Sequence, residues 1–164
     1  MPLDQYQREI NYLRISLTDH CNLRCVYCMP INGLKFLPRE ELLTPSEIAD
    51  VARVAVSVGF RKFRLTGGEP TLRPDLVEIV QRLGEIEGVG NLEMTTNGVL
   101  LPELARPLAR AGLRRVNVHL DSLDPEGLPQ IMRWGRLEQI WQGIEAAEEA
   151  ELVPIKLNAV IARG

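Results

Sequence analysis

The chain has 164 residues, 45% of them hydrophobic and 25% charged, with a net charge of -3. That composition fits one compact domain with a packed core and excludes a disordered or low-complexity chain. The acidic balance argues against a general nucleic-acid binder, whose affinity would rest on a basic surface. The polar start, with no apolar run near the roughly 18 residues of a membrane span, gives a cytoplasmic protein without membrane attachment as the expectation.

In chain order, five segments read as strands: Tyr12 to Thr18, Lys62 to Thr66, Leu92 to Thr96, Arg115 to Leu120 and Pro154 to Ile161. Helical patterns lie between them. The first opens on T-P-S-E, where Thr44 can cap, Pro45 suits the first helical position and Glu47 completes a capping box. Ile48, Val51, Ala52, Ala55 and Val58 form its apolar stripe, and Gly59 stops it. The second carries Leu76, Ile79, Val80 and Leu83 at helical spacing. The third is expected to be short, because Pro107 fits best near a first turn, and to end at Gly112. The fourth presents Leu137, Ile140, Trp141, Ile144 and Ala147 on one face. Strand and helix alternate, which predicts an α/β fold with a parallel sheet and right-handed crossovers.

The strands alternate in character. Leu13, Ile15 and Leu17 oppose Arg14, Ser16 and Thr18; Phe63 and Leu65 oppose Lys62, Arg64 and Thr66; Val116, Val118 and Leu120 oppose Asn117 and His119. A parallel sheet covered on both sides would be apolar throughout. Helices on the apolar faces would leave the polar faces lining something wet, which fits an open barrel with a ligand cavity; a plain sheet with one solvent face is the alternative. Arg14, Arg64 and Lys156 come from three strands and share the polar face. They either pair with Glu93 and Asp121 or receive an anionic ligand, which arginine can grip in a bidentate manner. His119 reads as a hydrogen-bonded interior histidine without a catalytic role.

The unusual sequence falls just after the strands, at the end where ligands bind in parallel barrels. After the first comes C-N-L-R-C-V-Y-C, holding all the cysteines of the chain: Cys21, Cys25 and Cys28. Three thiols so close are too tight for a disulfide framework. They suit a four-iron cluster that leaves one iron open for another ligand, a zinc ion with His20 as fourth ligand, or simply interior positions. After the second strand, in T-G-G-E-P-T, Gly67 and Gly68 permit a tight turn and close approach, and the Glu69 carboxylate could hold an ammonium group. After the third, T-T-N-G combines a favourable Asn97-Gly98 turn with the hydroxyls of Thr95 and Thr96.

Together these motifs resemble the radical S-adenosylmethionine (SAM) enzymes, with C-N-L-R-C-V-Y-C as the cluster pattern and G-G-E-P as the SAM-binding signature. A narrower resemblance, to the GTP 3′,8-cyclase family of molybdenum cofactor biosynthesis (the protein A family), rests on L-R-I-S-L-T-D-H-C-N-L-R-C-V-Y-C-M-P, F-L-P-R-E-E-L-L-T, R-L-T-G-G-E-P-T-L-R-P-D-L, T-T-N-G and K-L-N-A-V-I-A-R-G. The resemblance implies an incomplete (β/α)6 TIM-like barrel of the radical SAM type. It implies one 4Fe-4S cluster on Cys21, Cys25 and Cys28, and SAM contacts from Tyr27 through its backbone, Gly67, Gly68, Glu69 and the position of His119, where the family commonly has serine. It implies GTP contacts from Arg14, Arg64, Thr95 and Lys156. The activity implied is a lyase reaction: an electron from the reduced cluster cleaves SAM, the resulting radical takes hydrogen from ribose carbon 3′ of GTP, and closure onto carbon 8 gives (8S)-3′,8-cyclo-7,8-dihydroguanosine 5′-triphosphate. An external one-electron reductant is needed.

The family continues for roughly as long again and adds a second 4Fe-4S cluster near GTP. Residues 1–164 are therefore expected to be a single radical SAM domain that stops before barrel closure, lacking the second-cluster region. The open edge is expected to favour a homo-oligomer. A non-catalytic iron-sulfur or zinc-binding fragment, and a radical SAM enzyme acting on another substrate such as a peptide, are the alternative functions.

Overall fold

The computed structural model describes residues 3–32 and 34–161. Five strands, β1 (Tyr12–Ser16), β2 (Lys62–Thr66), β3 (Asn91–Thr96), β4 (Arg115–His119) and β5 (Lys156–Asn158), form one sheet in sequence order. All four pairings are parallel. Parallel neighbours require crossovers, and crossovers share one hand, so a sheet that grows in one direction carries its helices on one face. The helices are α1 (Pro45–Ser57), α2 (Leu76–Gly84), α3 (Leu101–Arg110), the short α4 (Leu128–Met132) and α5 (Leu137–Glu149). This is the partial parallel barrel that the strand alternation predicts.

The outward strand residues Phe63, Leu65, Leu92, Met94, Val116 and Val118 are buried with Ile48 and Ala52 of α1, Ile79 and Leu83 of α2, Leu108 of α3 and Ile140 of α5. Each large side chain enclosed there contributes about 1.5–3 kcal/mol. The predicted capping box is present: Glu47 N donates to Thr44 Oγ1 at 3.3 Å and Thr44 N to Glu47 Oε2 at 2.8 Å.

Several expectations need correction. In α1, Val51 and Val58 are exposed and Ala49 is buried with Ile48, Ala52 and Ala55, because the core-facing stripe lies to the other side of Ile48. In α3, Pro102 occupies the first turn and Pro107 sits inside the helix. Pro107 is exposed, so the carbonyl it leaves unpaired one turn earlier faces water and the helix continues. In α5, Trp141 is half exposed and Gly143 takes its place in the core face. A Cβ on Gly143 would stand 2.0 Å from the Gly98 carbonyl oxygen, so the helix lies directly on the turn after β3. The fifth strand is shorter than expected: pairing ends at Asn158, and Val160 N turns to the Asp121 carboxylate at 2.8 Å.

Candidate cofactor and substrate site

Strand register arranges the uncovered face as rows. Arg14, Arg64, Glu93 and Arg115 lie side by side across β1 to β4. Two residues further on, Ser16 pairs with Thr66, Thr95 with Asn117, and Asn117 in turn with Lys156. His119 stands beyond Asn117 on β4. The basic residues of three strands thus share a face, as alternation requires.

Above these rows sits the cysteine loop, held from several sides. Leu23 is buried in the core, Val26 N donates to Ile131 O at 2.9 Å, and Cys28 N and Met29 N close a turn on Cys25 O at 3.0 and 3.1 Å. Arg24 donates to the carbonyls of Cys21 and Leu23, both at 2.7 Å, and its guanidinium lies over the rings of Phe36 and Trp134. Asn97 Nδ2 reaches Asn22 Oδ1 at 2.7 Å, which ties the loop to the turn after β3. His20 stacks on Phe36 with ring centroids 4.3 Å apart.

The glycine pair has a clear steric cause. Gly68 N and Glu69 N donate to the carbonyls of Thr18 and His20, both at 2.6 Å. A Cβ on Gly67 would come within 2.5 Å of Thr18 O, and one on Gly68 within 2.3 Å of His20 O. The two loops are zipped together by backbone, and no larger residue fits.

Glu69 is 1% exposed. Its Oε1 accepts from Thr71 N at 3.1 Å, Thr71 Oγ1 at 2.6 Å and Thr96 Oγ1 at 2.7 Å, and its Oε2 from Asn97 N at 2.7 Å. Burial pushes its carboxyl above the ordinary range, while those neutral donors pull the other way. The carboxylate therefore brackets the loops after β2 and β3, with Oε2 the less occupied oxygen.

Glu93 is 3% exposed and has charged company. It pairs with Arg64, and with Arg115 at 2.6 Å, and accepts from Asn91 Nδ2. Burial acts to raise its carboxyl, but the hydrogen bonds and charges of Arg64 and Arg115 outweigh this and hold it below the ordinary range. The proposed pairing of the basic residues thus holds for Arg64 and Glu93, and Arg115 was missed because only the register brings it to Glu93. Asp121 meets none of Arg14, Arg64 and Lys156. Its carboxylate accepts from Tyr27 Oη at 2.7 Å and Val160 N at 2.8 Å, and lies 2.9 Å from His119 Nε2, which also touches Tyr27 Oη. Burial, followed by the bond to Asp121, drives the Tyr27 hydroxyl upward. Among the described residues Arg14 and Lys156 enter no ion pair.

The cysteine loop, the glycine turn and the turn after β3 enclose a cavity of about 200 Å³. Every residue expected at the site lines it except Arg64 and Lys156, which lie further along the same face. Larger concavities, of about 520 and 550 Å³, lie among the outer helices and gather no comparable chemistry. Cys21, Cys25 and Cys28 are free thiols. Burial pushes the Cys21 and Cys25 thiols up. Among the described residues no three His, Cys, Asp or Glu side chains converge on a single metal ion. A cluster asks for less convergence, since each thiolate takes a different iron, so the donor set fits a 4Fe-4S group better than zinc.

Residues 15–164 match the model of the Radical SAM superfamily, and the chain belongs to that family. More narrowly, it is 53% identical over 161 residues to the GTP 3′,8-cyclase of Pelotomaculum thermopropionicum, and 50% identical over 161 residues to that of Moorella thermoacetica. Each match takes in 98% of this chain and 50% of the relative, so the chain spans about half the length of the curated relatives it matches. Among solved structures it resembles Streptococcus suis SuiB bound to the precursor peptide SuiA, with a TM-score of 0.74, 18% identity and coverage of 94% of this chain and 34% of that one. Methylornithine synthase aligns with a TM-score of 0.67 at 16% identity, covering 90% of this chain and 44% of the other. These two likenesses support the fold. Family membership implies a 4Fe-4S cluster and SAM. No helix among the described residues is long and apolar enough to cross a membrane.

Proposed function

We propose that this chain is the radical SAM domain of a GTP 3′,8-cyclase, carrying the SAM cluster and part of the GTP pocket. The observation that supports it best is the continuity of one face. The thiol loop and Arg14 line one cavity, and rows running from it hold Arg64, Thr95 and Lys156. Cys21, Cys25 and Cys28 would hold the cluster, and Tyr27, Gly67, Gly68, Glu69 and His119 would form the SAM-binding part of the cavity, where the Glu69 carboxylate would accept from its ammonium group. When bound, the cluster and SAM supply one-electron reductive chemistry that yields a hydrogen-abstracting carbon radical. The protein's own part is positional: Arg14, Arg64 and Lys156 hold the triphosphate and Thr95 meets the nucleoside. All cysteines of the chain sit in the one loop, so a second cluster needs ligands that this sequence does not contain. An external reductant delivers the electron.

Anaerobic reconstitution followed by iron and sulfide analysis tests the cluster. The expected result is a 4Fe-4S stoichiometry that falls away when Cys25 is replaced by Ala; stoichiometric zinc without sulfide overturns it. SAM cleavage in the intact protein with and without GTP tests the substrate, which is wrong if GTP leaves both cleavage and product unchanged.

A further inference from the structure

Residues 20–39 and 127–137 hold five of the 19 Arg and Lys of the chain, Arg24, Lys35, Arg39, Arg133 and Arg136, and none of its 22 Asp and Glu. The fold packs these two stretches together. Val26 N bonds Ile131 O, the Arg24 guanidinium lies over the Trp134 ring, and Arg133 Nη1 donates to Met29 O at 3.3 Å. Among the described residues none of the five enters an ion pair. Of the acids that border the two stretches, Asp19 accepts from Leu37 N and Asp124 from the backbone N–H groups of Glu126 and Gly127, which leaves Glu40, Glu41 and Glu126. A chain with a net charge of -3 therefore carries a local excess of positive charge around its thiols.

The same surface is apolar between its charges. Val26, Ile31, Leu37 and Trp134 are each about half exposed. Cys25 and Tyr27 line the cavity and Val26 between them does not, so the loop has an inner side for ligands and an outer side toward solvent. One side chain joins the exposed Trp134 ring to a thiol residue: Arg24 lies 5.0 Å from the ring centroid and donates to the Cys21 carbonyl at 2.7 Å.

Cations set around apolar side chains complement a partner that carries acidic groups around an apolar centre. A second copy of this chain fits poorly, because a two-fold contact would set the five cations against their own kind. A nucleic-acid strand would use the charges and leave the apolar groups idle. With Cys21, Cys25 and Cys28 as cluster ligands, the group directly behind this surface takes single electrons from outside, and electron transfer weakens steeply with distance. We infer that the outer face of the cysteine loop, centred on Trp134, is the docking surface for an acidic electron-carrier protein. One electron passes from the reduced carrier to the oxidised cluster, so the carrier is oxidised and the cluster reduced with no bond made or broken. The inference rests on the cluster reading above and adds the partner's place of contact, on the side of the loop away from the ligand cavity. Electron-transfer encounters bury less than about 1,200 Å², so a surface built from two short segments suffices.

The test uses the intact, anaerobically reconstituted protein, with reduced flavodoxin and reduced ferredoxin as acidic probes and dithionite as a reductant that needs no docking. Equilibrium titration reads carrier binding, and stopped-flow absorbance reads cluster reduction. The proteins compared are the wild type, Trp134→Ser, the double variant Lys35→Glu with Arg136→Glu, and a control of equal charge change on the exposed side of α3, Arg106→Glu with Arg110→Glu. The Lys35 and Arg136 variant is expected to weaken carrier binding and slow carrier-driven reduction roughly tenfold at low salt, with the difference from wild type shrinking as salt rises. Trp134→Ser is expected to weaken binding roughly tenfold with little dependence on salt. The α3 control stays within about twofold of wild type, and dithionite reduces every variant at the wild-type rate. Carrier binding and reduction unchanged in both surface variants, or a loss that the α3 control shares, overturns the docking surface. Lower iron content or slower dithionite reduction in both surface variants makes these residues supports of the loop and overturns it too. A wild-type cluster that dithionite reduces but neither carrier binds or reduces sinks the inference and leaves the cluster reading standing; a wild-type protein that takes up no iron and sulfide sinks both.

Discussion

Two carboxylates one strand apart, Glu69 and Glu93, are almost equally buried at 1% and 3% exposure, yet their pKa values move in opposite directions. Glu69 has only neutral donors, two backbone N–H groups and two threonine hydroxyls, and burial wins. Glu93 has two guanidiniums, and they win over burial. Depth therefore does not decide what a buried acid does here; the charge of its partners does. Beside the thiol loop a carboxylate organises backbone. Further along the same face it balances cations that would otherwise repel each other, while leaving the row positive.

The largest effect expected from breaking this comparison is at Glu69. Replacing it with Ala orphans donors from Thr71, Thr96 and Asn97 in a sealed site, and the loss is about 3 kcal/mol or more. Denaturant titration of the intact protein measures it, and reconstituted iron content should fall as well, since the loops that frame the thiols separate. A stability change below about 1 kcal/mol, with SAM binding alone impaired, would show that Glu69 is a ligand contact rather than a bracket.

Glu93→Gln comes next, at about 1–3 kcal/mol, because Arg64 and Arg115 keep partial access to water and so tolerate losing their anion better than sealed charges would. The two acids then separate by pH. Glu93 has a depressed native pKa, so its contribution is present above the ordinary glutamate range and lost as pH falls through the native value. Glu69 has a raised one, so its contribution is greatest at low pH and declines as pH rises through the native value. The stability gap between wild type and Glu93→Gln should narrow on acidification, and that between wild type and Glu69→Gln should widen. Parallel slopes in the two titrations would sink the contrast.

The elements of the sheet were legible because strand alternation and helix stripes are local: the capping box at Thr44 and the stripe of α2 appear as expected, and that of α5 does so apart from Trp141. α4 was not, since Leu128–Met132 is too short to show a period. The corrections at Pro107 and Gly143 share a cause. Exposure of one carbonyl and contact with one turn are tertiary facts that no window of sequence contains. At the site, the thiol loop and the shared face of Arg14, Arg64 and Lys156 could be read from motif and phase. The bracket on Glu69 could not, because its donors come from two loops with no periodic relation, and Arg115 meets Glu93 only once register is set.

Asp121 stands between the two glutamates and offers the finest test. It accepts from neutral donors, Tyr27 Oη and Val160 N, as Glu69 does, and also faces His119, a group that can carry charge. Tyr27→Phe removes one neutral donor and keeps the ring. If neutral donors merely organise backbone, the cost is about 1 kcal/mol, because the buried Asp121 carboxylate keeps its contacts with Val160 N and His119. The His119 contact remains, so the β4 end should stay in place while the cysteine loop loses its tie to it. Amide exchange in the intact protein reads this directly: protection should fall around Val26 to Met29 and hold at Val160. Equal loss at both segments would mean that Tyr27 and His119 position Asp121 as one unit, which would make this third carboxylate a charge-organised site like that of Glu93.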